Sequence, residues 1–396
     1  MNILFLMIAF PDIEKNPNLY SDLAREFEKN GHNVYVSTIL EHKYEMRTYY
    51  RVESSFHVLR VATGDLFNVD FIRKGLTTLS LSQKFKRAIK KYFPDVKFDL
   101  VIFPTPPITF LNVVKFIKKR DGCKSYLVLR DIFPQNARDL GLMKFDWLFR
   151  YFRRLERDLY DKADYIGCMS NRNIEYIMEH NDIDKAKCEL LLNWKKIRDV
   201  PSQDSVICRK KYGLNNKFIA IFAGVIGIAQ ELEFLLELAK SYKDRKDIAF
   251  FLIGDGNAKQ KLKDIVRKEK LSNVVIKDRI PSREFARLVR ECDIGLVNLN
   301  RRFTIPNFPS KALDYFEASL PVLASIDKNT DYGQFLEEAE AGLWSITGDL
   351  ETYRHNFEKL LNDREYRLAL GKNGRRYLES NLTVAKTYRT IMKHFM

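Results

Sequence analysis

Two doubly wound α/β halves, each built on a parallel sheet, are what this sequence predicts, and three observations carry the prediction. Short β-like runs alternate with helical patterns along almost the whole chain of 396 residues. A polar, charged stretch holding Pro201, WKKIRDVPSQDSVICRKKYGL (194–214), separates an earlier series of such units from a later and more regular one. Glycine-rich turns close the β-runs of the later series and open its helices.

The first series opens with NILFLMIAF (2–10) as a strand, SDLAREFEKNG (21–31) as a helix stopped by Gly31, and NVYVSTI (33–39) as the next strand. It continues through DLVIFPT (99–105), the helix TFLNVVKFIKKR (109–120), and the strands SYLVLR (125–130) and YIGCMS (165–170). The second series runs KFIAIFAG (217–224), QELEFLLELAKSYK, AFFLIGDG, NAKQKLKDIVRKEK, NVVIKD, SREFARLVREC, DIGLVNL, FPSKALDYFEAS and PVLAS (321–325), one βα unit after another. From about residue 349 the tail reads as three successive helical patterns. The expected domains are therefore 1–196 and 197–375, with a C-terminal helix over 376–396 that returns to the first domain. Ligands of such sheets bind outside the carboxyl ends of the strands, so the two halves are expected to face a cleft, with closure about the linker.

Composition narrows the function. Hydrophobic residues make up 45% and charged residues 30%, the balance of an ordinary globular protein. The longest apolar run, FIAIFAGVIGIA (218–229), is shorter than the ~20 residues that span a bilayer. MNILFLMIAF lacks a basic leader and a small-residue cleavage site, so it reads as a first strand and not as a signal peptide. The five cysteines (Cys123, Cys168, Cys188, Cys208, Cys292) form no CxxC and the six histidines no HExxH, which fits a reducing cytoplasm and no bound metal. The net charge of +15 calls for an acidic partner: nucleic acid, anionic lipid or a phosphorylated substrate.

Four stretches carry candidate chemistry. In FPSKALDYFEASLPVLAS (308–325), Ser310, Lys311 and Asp314 stand at an apparent helix start. Free amides, the helix dipole and the Lys311 charge there suit an anion, and Asp314 suits hydroxyls such as those of a ribose. The same residues equally suit an ordinary capped helix, with Ser310 as the cap. AGVIG (223–227) and IGDGN (253–257) place Gly224, Gly227 and Gly254 where a backbone can approach a ligand or simply turn tightly. In VLRDIFPQNARDLGLM (128–143), Arg130 and Asp131 end a β-run, either as sugar-handling groups or as a local ion pair. The amphipathic stretches LSQKFKRAIKKYF (81–93) and WLFRYFRRLERDLY (147–160) set Leu148, Phe152, Leu155 and Leu159 on one stripe and Arg150, Arg153, Arg154 and Arg157 off it. Such helices lie on anionic membranes or pack on a core with a solvated basic face. Nucleic-acid reader signatures are absent from both.

Taken in order, AGVIGIAQELEFLLELA, FLIGDGNAKQKLKDIV, NVVIKDRIPSREFARLVRECDIGLV and FPSKALDYFEASLPVLAS resemble the nucleotide-sugar half of GT-B glycosyltransferases of family GT4. RDIFPQNARDLGLM resembles the O-antigen and capsule branch, which includes N-acetyl-L-fucosaminyl transferases. The resemblance implies GT-B architecture and configuration-retaining transfer of a sugar, N-acetyl-L-fucosamine or a related amino or deoxy sugar. The implied donor is a UDP-sugar, no metal is required, and the implied acceptor is a polyprenyl-diphosphate-linked glycan. With the basic helices, that places the protein in the cytoplasm, peripherally on the inner membrane.

The resemblance also implies residue roles. Of the family's two glutamates separated by seven intervening residues, Asp314 matches the ribose-binding second and Pro306 occupies the first. Contacts to the donor sugar then fall to Asn307, Phe308, Pro309 and Ser310. Ile228 and Gln230 stand where the family often has its diphosphate Arg and Lys, which leaves Lys311 as the cation. Arg279 and Ile280 match the base-side loop, and Asp131, beside Arg130, matches the residue that meets the donor sugar. Asp131 and Lys311 are thus the implied catalytic pair, and Glu317 and Ser319 replace a commoner Ala and Gly as packing changes. The acceptor is expected past the loop PDIEKNPN (11–18). Two readings of other classes stand beside this one: a GT-B epimerase of nucleotide sugars, and a non-catalytic nucleic-acid-binding protein motivated by the charge.

Overall fold

Runs such as LVIFPT, FIAIFA and IAFFLI are apolar at nearly every position, the mark of strands covered on both faces. The computed structural model, which describes residues 1–11, 16–66, 71–198 and 206–395, gathers them into two sheets. The strands are β1 Asn2–Met7, β2 Asn33–Leu40, β3 Tyr49–Glu53, β4 Phe56–Ala62, β5 Leu100–Thr105, β6 Lys124–Leu129, β7 Tyr165–Cys168 and β8 Cys188–Leu190 in the first. The second holds β9 Phe218–Ala223, β10 Ile248–Ile253, β11 Val274–Lys277, β12 Ile294–Asn298, β13 Val322–Ile326 and β14 Gly342–Ile346. Parts of the acceptor loop (12–15) and of the linker (199–205) lie outside the described residues.

Two compact units result, residues 1–196 with 384–396, and residues 197–383. The sheet orders are β3-β4-β2-β1-β5-β6-β7-β8 and β11-β10-β9-β12-β13-β14. The second is wholly parallel and its order is that of a dinucleotide-binding fold. The first repeats that order from β4 to β7 and adds an antiparallel edge, β3. The β3–β4 hairpin goes unread in the sequence because its turn holds Ser54 (φ 47°) and Ser55 (φ 75°), where Asn-Gly or Asp-Gly is the usual signal.

In the first unit, the helix Val384–Met392 closes the core. Tyr388 meets the Phe27 ring edge-on at 4.9 Å and its hydroxyl lies 2.8 Å from His32 Nε2. Behind it, Glu189 accepts from Tyr126 Oη at 2.6 Å and from His394 Nε2 at 3.0 Å. The preceding helix, Arg364–Asn381, lies in the second unit, where Gly371 lets it approach the Ser319 carbonyl: a Cβ there would sit 2.0 Å from that oxygen. Ser319 itself adopts φ 56° at the end of the helix Ala312–Glu317, the left-handed conformation a glycine would take more easily.

Both basic amphipathic stretches pack on the first core by their apolar faces. Leu81, Phe85 and Ile89 are fully buried, as are Phe152 and Leu159 nearly so. Arg153 does not belong to the free basic face: it pairs with Glu156 at 2.8 Å and donates to the His180 carbonyl at 2.7 Å. Burial pushes the Glu156 carboxyl up to about 7, against the pull of Arg153.

In the second unit β9 and β12 pair only through Ile294↔Ala220 and Gly295↔Ile221, then part. Tyr315 fills the gap. Its hydroxyl accepts from the Ala223 amide and lies within donating distance of the Ile221 and Leu296 carbonyls, all at 3.2 Å. The ring takes the room left by Gly295, whose Cβ would fall 2.3 Å from Tyr315 Cγ.

Two outcomes follow in urea unfolding. Tyr388→Ala should cost about 3 kcal/mol, since it opens a cavity against Phe27 and strips a hydrogen bond from His32. Tyr315→Phe keeps the packing but leaves buried backbone groups unpaired, and should cost ~1–3 kcal/mol. A Tyr315→Phe protein as stable as the parent would show that the hydroxyl is dispensable.

Candidate functional site

The carboxyl ends of β9, β10 and β11 bring together most of the expected second-unit residues. Gly224 (φ 136°) follows β9 and Gly254 (φ 153°) follows β10, and the two turns are zipped side by side. Gly224 N–H donates to the Ile253 carbonyl and Ile226 N–H to that of Asp255, both at 2.9 Å. A Cβ on Gly254 would meet the Gly224 carbonyl oxygen at 1.7 Å, so the approach is open to glycine alone. Gly227 is different: its φ of −130° is extended backbone, and it opens the short turn Ile228–Gln230 without needing a glycine conformation.

Lys259, unmarked in the sequence among the many charges of its helix, holds this edge together. It is buried, and its ammonium donates to the Gly254 carbonyl at 2.7 Å, to Asp255 at 2.8 Å and to Asp278. Asp278 is the residue before Arg279 and Ile280, so one cation ties the glycine turn to the loop matched to the base side. Arg279 is exposed and Ile280 half-buried at the end of β11.

Lys311 reaches the same place from the far side of the switch point. Its Nζ lies 5.1 Å from the centre of the Phe222 ring, and its Cε would stand 3.0 Å from a Cβ on Gly224. No hydrogen bond or ion pair to another described residue holds the ammonium, and burial lowers its pKa to about 8, with Asp314 pulling the other way. The position beside the glycine turn, uncharged at Ile228 and Gln230, thus receives its cation from the helix Ala312–Glu317. That helix is shorter than expected and is not capped by the Ser310 side chain; Lys311 is the capping position. Two of its first amides are already used, Leu313 to the Ser310 carbonyl and Asp314 to that of Lys311, both at 3.2 Å. The charge of Lys311 therefore outweighs the helix terminus as an attraction for an anion.

Residues 306–310 form the adjoining loop. Phe308 does not face solvent: it is buried edge-on against Tyr332 (5.1 Å) and Phe335 (5.0 Å), so its part is to brace the loop. The Asn307 carbonyl accepts from Thr330 Oγ1 at 2.5 Å, while Asn307 Nδ2 is buried without an acceptor among the described residues. Pro309, Ser310 and Asp314 are half-buried and Pro306 is buried. Glu317, one of the packing positions, accepts from the Arg198 amide at 2.9 Å.

In the first unit Arg130 and Asp131 follow β6, beside the end of β5. Thr105 Oγ1 accepts from the Arg130 amide and donates to the Asp131 carbonyl, each at 3.2 Å. The two side chains are not an ion pair: the Arg130 guanidinium bonds instead to Asn193 Oδ1. Tyr20 lies near both charges, its hydroxyl buried without a hydrogen-bond partner among the described residues and its pKa pushed up to about 12 by burial. Trp194 meets Tyr20 edge-on at 5.7 Å and donates from Nε1 to the Leu19 carbonyl at 2.8 Å. Tyr20 and Asn193 carry no signal in a single sequence, since their partners lie far along the chain.

Among the described residues no group of three or more His, Cys, Asp or Glu is placed to hold a metal ion, and no helix is long and apolar enough to cross a membrane.

Comparison with known proteins agrees with this geometry. Residues 19–194 match the family model Glycosyltransferase Family 4, and residues 207–377 match Glycosyl transferases group 1. A relative from Pseudomonas aeruginosa, "Probable glycosyltransferase WbjE", is 27% identical over 62% of this chain and 61% of its own, so the chain spans less than two thirds of that protein's length. Anabaena HepE, solved in complex with UDP-glucose, superposes with a TM-score of 0.73 at 14% identity over 100% of this chain and 99% of its own. WaaG, a glycosyltransferase involved in lipopolysaccharide biosynthesis, gives 0.69 at 15% identity over 99% of each chain. With each compact unit matched by its own family model on a nucleotide-binding sheet order, the chain belongs to the GT4-type glycosyltransferases of the GT-B fold.

Proposed function

We propose that the chain transfers a sugar, with retention of configuration, from a UDP-sugar to a polyprenyl-diphosphate-linked glycan at the cytoplasmic face of the inner membrane. N-acetyl-L-fucosamine or a related amino or deoxy sugar is the proposed cargo, in keeping with the sequence RDIFPQNARDLGLM. The observation that carries the reading is Lys311: a cation lodged against Gly224 and Phe222, with no ion pair to a described residue, suits a phosphate. That HepE is solved with UDP-glucose supports a UDP donor for this fold.

In the reaction proposed, the bond from the sugar's anomeric carbon to the diphosphate oxygen breaks. The acceptor oxygen bonds to the same face of that carbon, and its proton passes to the departing phosphate oxygen. The products are the glycoside and UDP. Negative charge grows on the diphosphate as the bond breaks, and Lys311 with the Gly224 and Gly254 turns stabilises it there, a role that asks for no metal. Asp314 is assigned the ribose hydroxyls, and Arg279 and Ile280 the base. Gly227, Asn307, Pro309 and Ser310 line the donor side, Asn307 through its unpartnered amide. Asp131, with Arg130, is assigned the donor sugar at the edge of the first sheet.

Calorimetric titration with UDP tests this reading. Lys311→Met should weaken UDP binding by about ten- to a hundred-fold, the worth of a charge-assisted contact, and slow transfer further. Asp314→Asn should weaken binding similarly, and a dideoxyribose analogue should lose little more in that variant. Parental affinity in both variants would return the helix to a purely structural role.

The same lysine sets a pH dependence. With a free-state pKa of about 8, Lys311 must be charged to meet the diphosphate, so UDP affinity should be highest below that pH and fall as pH rises through it. In the absence of UDP the sign reverses. Between about 8 and the ordinary 10.5, the folded chain holds fewer protons at this site than the unfolded one, so the group's contribution to stability rises with pH. Lys311→Met should flatten both profiles, read by titration and by thermal unfolding from pH 7 to 10.

A further inference from the structure

The helix Asp146–Lys162 turns two unlike faces to its surroundings. Inward it buries Phe152, Glu156, Leu159 and Tyr160. Outward, Trp147, Arg150, Tyr151 and Arg154 fall at i, i+3, i+4 and i+7, one continuous stripe. Trp147 is 66% exposed, Tyr151 47%, and Phe145, which lies against Trp147 with ring centres 6.4 Å apart, 63%. Leu142 adds a further 43% exposed apolar side chain in the segment leading in. These aromatics do not belong to the stripe of Leu148, Phe152, Leu155 and Leu159, of which Phe152 and Leu159 are buried and the other two half-buried.

The charge on this face is one-sided. Lys144, Arg150 and Arg154 are exposed, and none makes an ion pair with a described residue. The acids of the helix are already engaged: Asp146 with Arg138 at 2.8 Å, Asp158 with Lys115, Asp161 with Lys162 at 2.6 Å, and Glu156 with Arg153 at 2.8 Å. Tryptophan and tyrosine prefer the headgroup level of a bilayer, where an apolar body and a polar tip are both satisfied. Unpaired lysine and arginine beside them are drawn to lipid phosphates. A second copy of the chain suits the face badly, because a two-fold contact would set these cations against one another.

We propose that this face docks the chain on an anionic lipid bilayer. Phe145, Trp147 and Tyr151 enter the headgroup layer, and Lys144, Arg150 and Arg154 bind lipid phosphates. The inference deepens the proposed function, because an acceptor carried on a lipid is met at such a surface, but it uses none of the donor-site residues.

Vesicle binding tests it with the full chain. Co-sedimentation should show binding to phosphatidylglycerol–phosphatidylethanolamine vesicles that weakens with added salt, and much less binding to phosphatidylcholine vesicles. The variants Trp147→Ala/Tyr151→Ala and Arg150→Glu/Arg154→Glu, all at exposed positions, should each bind at least about tenfold more weakly, with unchanged melting temperature and unchanged UDP affinity. Lipids brominated on their upper acyl carbons should quench Trp147, since Trp194 is fully buried and Trp344 lies in the other unit. Parental vesicle affinity in both variants would overturn the proposal, as would equal binding to neutral vesicles or a Trp147 signal untouched by brominated lipid. So would a concentration-dependent dimer in light scattering that the same substitutions abolish. The vesicle readings decide the matter whether or not UDP binds.

Discussion

The parting of β9 from β12 is the constraint on which the second unit's chemistry depends. Two strands that separate at a switch point open a crevice for a ligand, but they also leave backbone groups without partners in the interior. Tyr315 resolves the conflict with one hydroxyl shared among Ala223, Ile221 and Leu296. Gly295 is the complement of that solution, since a side chain there would occupy the ring's volume. Because Tyr315 and Lys311 stand four residues apart around one short helix, seating the ring also sets the lysine. The stability of the sheet and the position of the site's cation are therefore one packing problem.

A second consequence concerns the glycine turns. Gly224 and Gly254 come so close that their backbones are in contact, and the side chain that lies beside Gly224 is that of Lys311. Lys259 then fixes the Gly254 carbonyl from beneath and links it through Asp278 to the loop after β11. The two lysines divide the labour. Lys259 is satisfied by two carboxylates and a carbonyl, so it serves as structure. Lys311 lies over an aromatic ring and makes no ion pair with a described residue, Asp314 acting on it only at a distance, so its charge is left for a ligand.

Much of this was legible in the sequence, and what was not has identifiable causes. The βα alternation and the glycine turns follow from periodicity and from residues that punctuate the chain locally. The place of Lys311 near the glycine turn was legible because FPSKALDYFE concentrates unusual residue types at a helix start. Tyr315, in the same stretch, was not, because its role depends on two strands far back in the chain. Lys259 was hidden for the opposite reason, as one of many charges on a basic helix of which only one turns inward. The β3–β4 hairpin was missed where two serines adopt a conformation that sequence patterns assign to Asn and Gly. The ambiguity between capping and anion binding at Ser310 was inherent, since both use the same residue types and only the backbone shows that the side chain does not cap.

The helix Asp146–Lys162 shows how far a hydrophobic pattern can mislead even when it is read correctly. Its regular stripe of leucines and Phe152 is the face the core needs, so that face carries no information about partners. The informative residues are those the fold does not require. Removing Trp147 or Tyr151 would leave the core beneath them intact, and a lone exposed aromatic would mean little. Here three aromatics share one surface with three cations that make no ion pair with a described residue, while the acids of the same helix are each engaged by a neighbour. Arg153 makes the contrast within a single run of sequence: beside Arg154, it is spent on Glu156 and the His180 carbonyl. A helix that neutralises its acids and exposes its bases keeps a positive surface at a cost in self-repulsion. Folding alone gives no return on that cost; a negatively charged surface outside the molecule does.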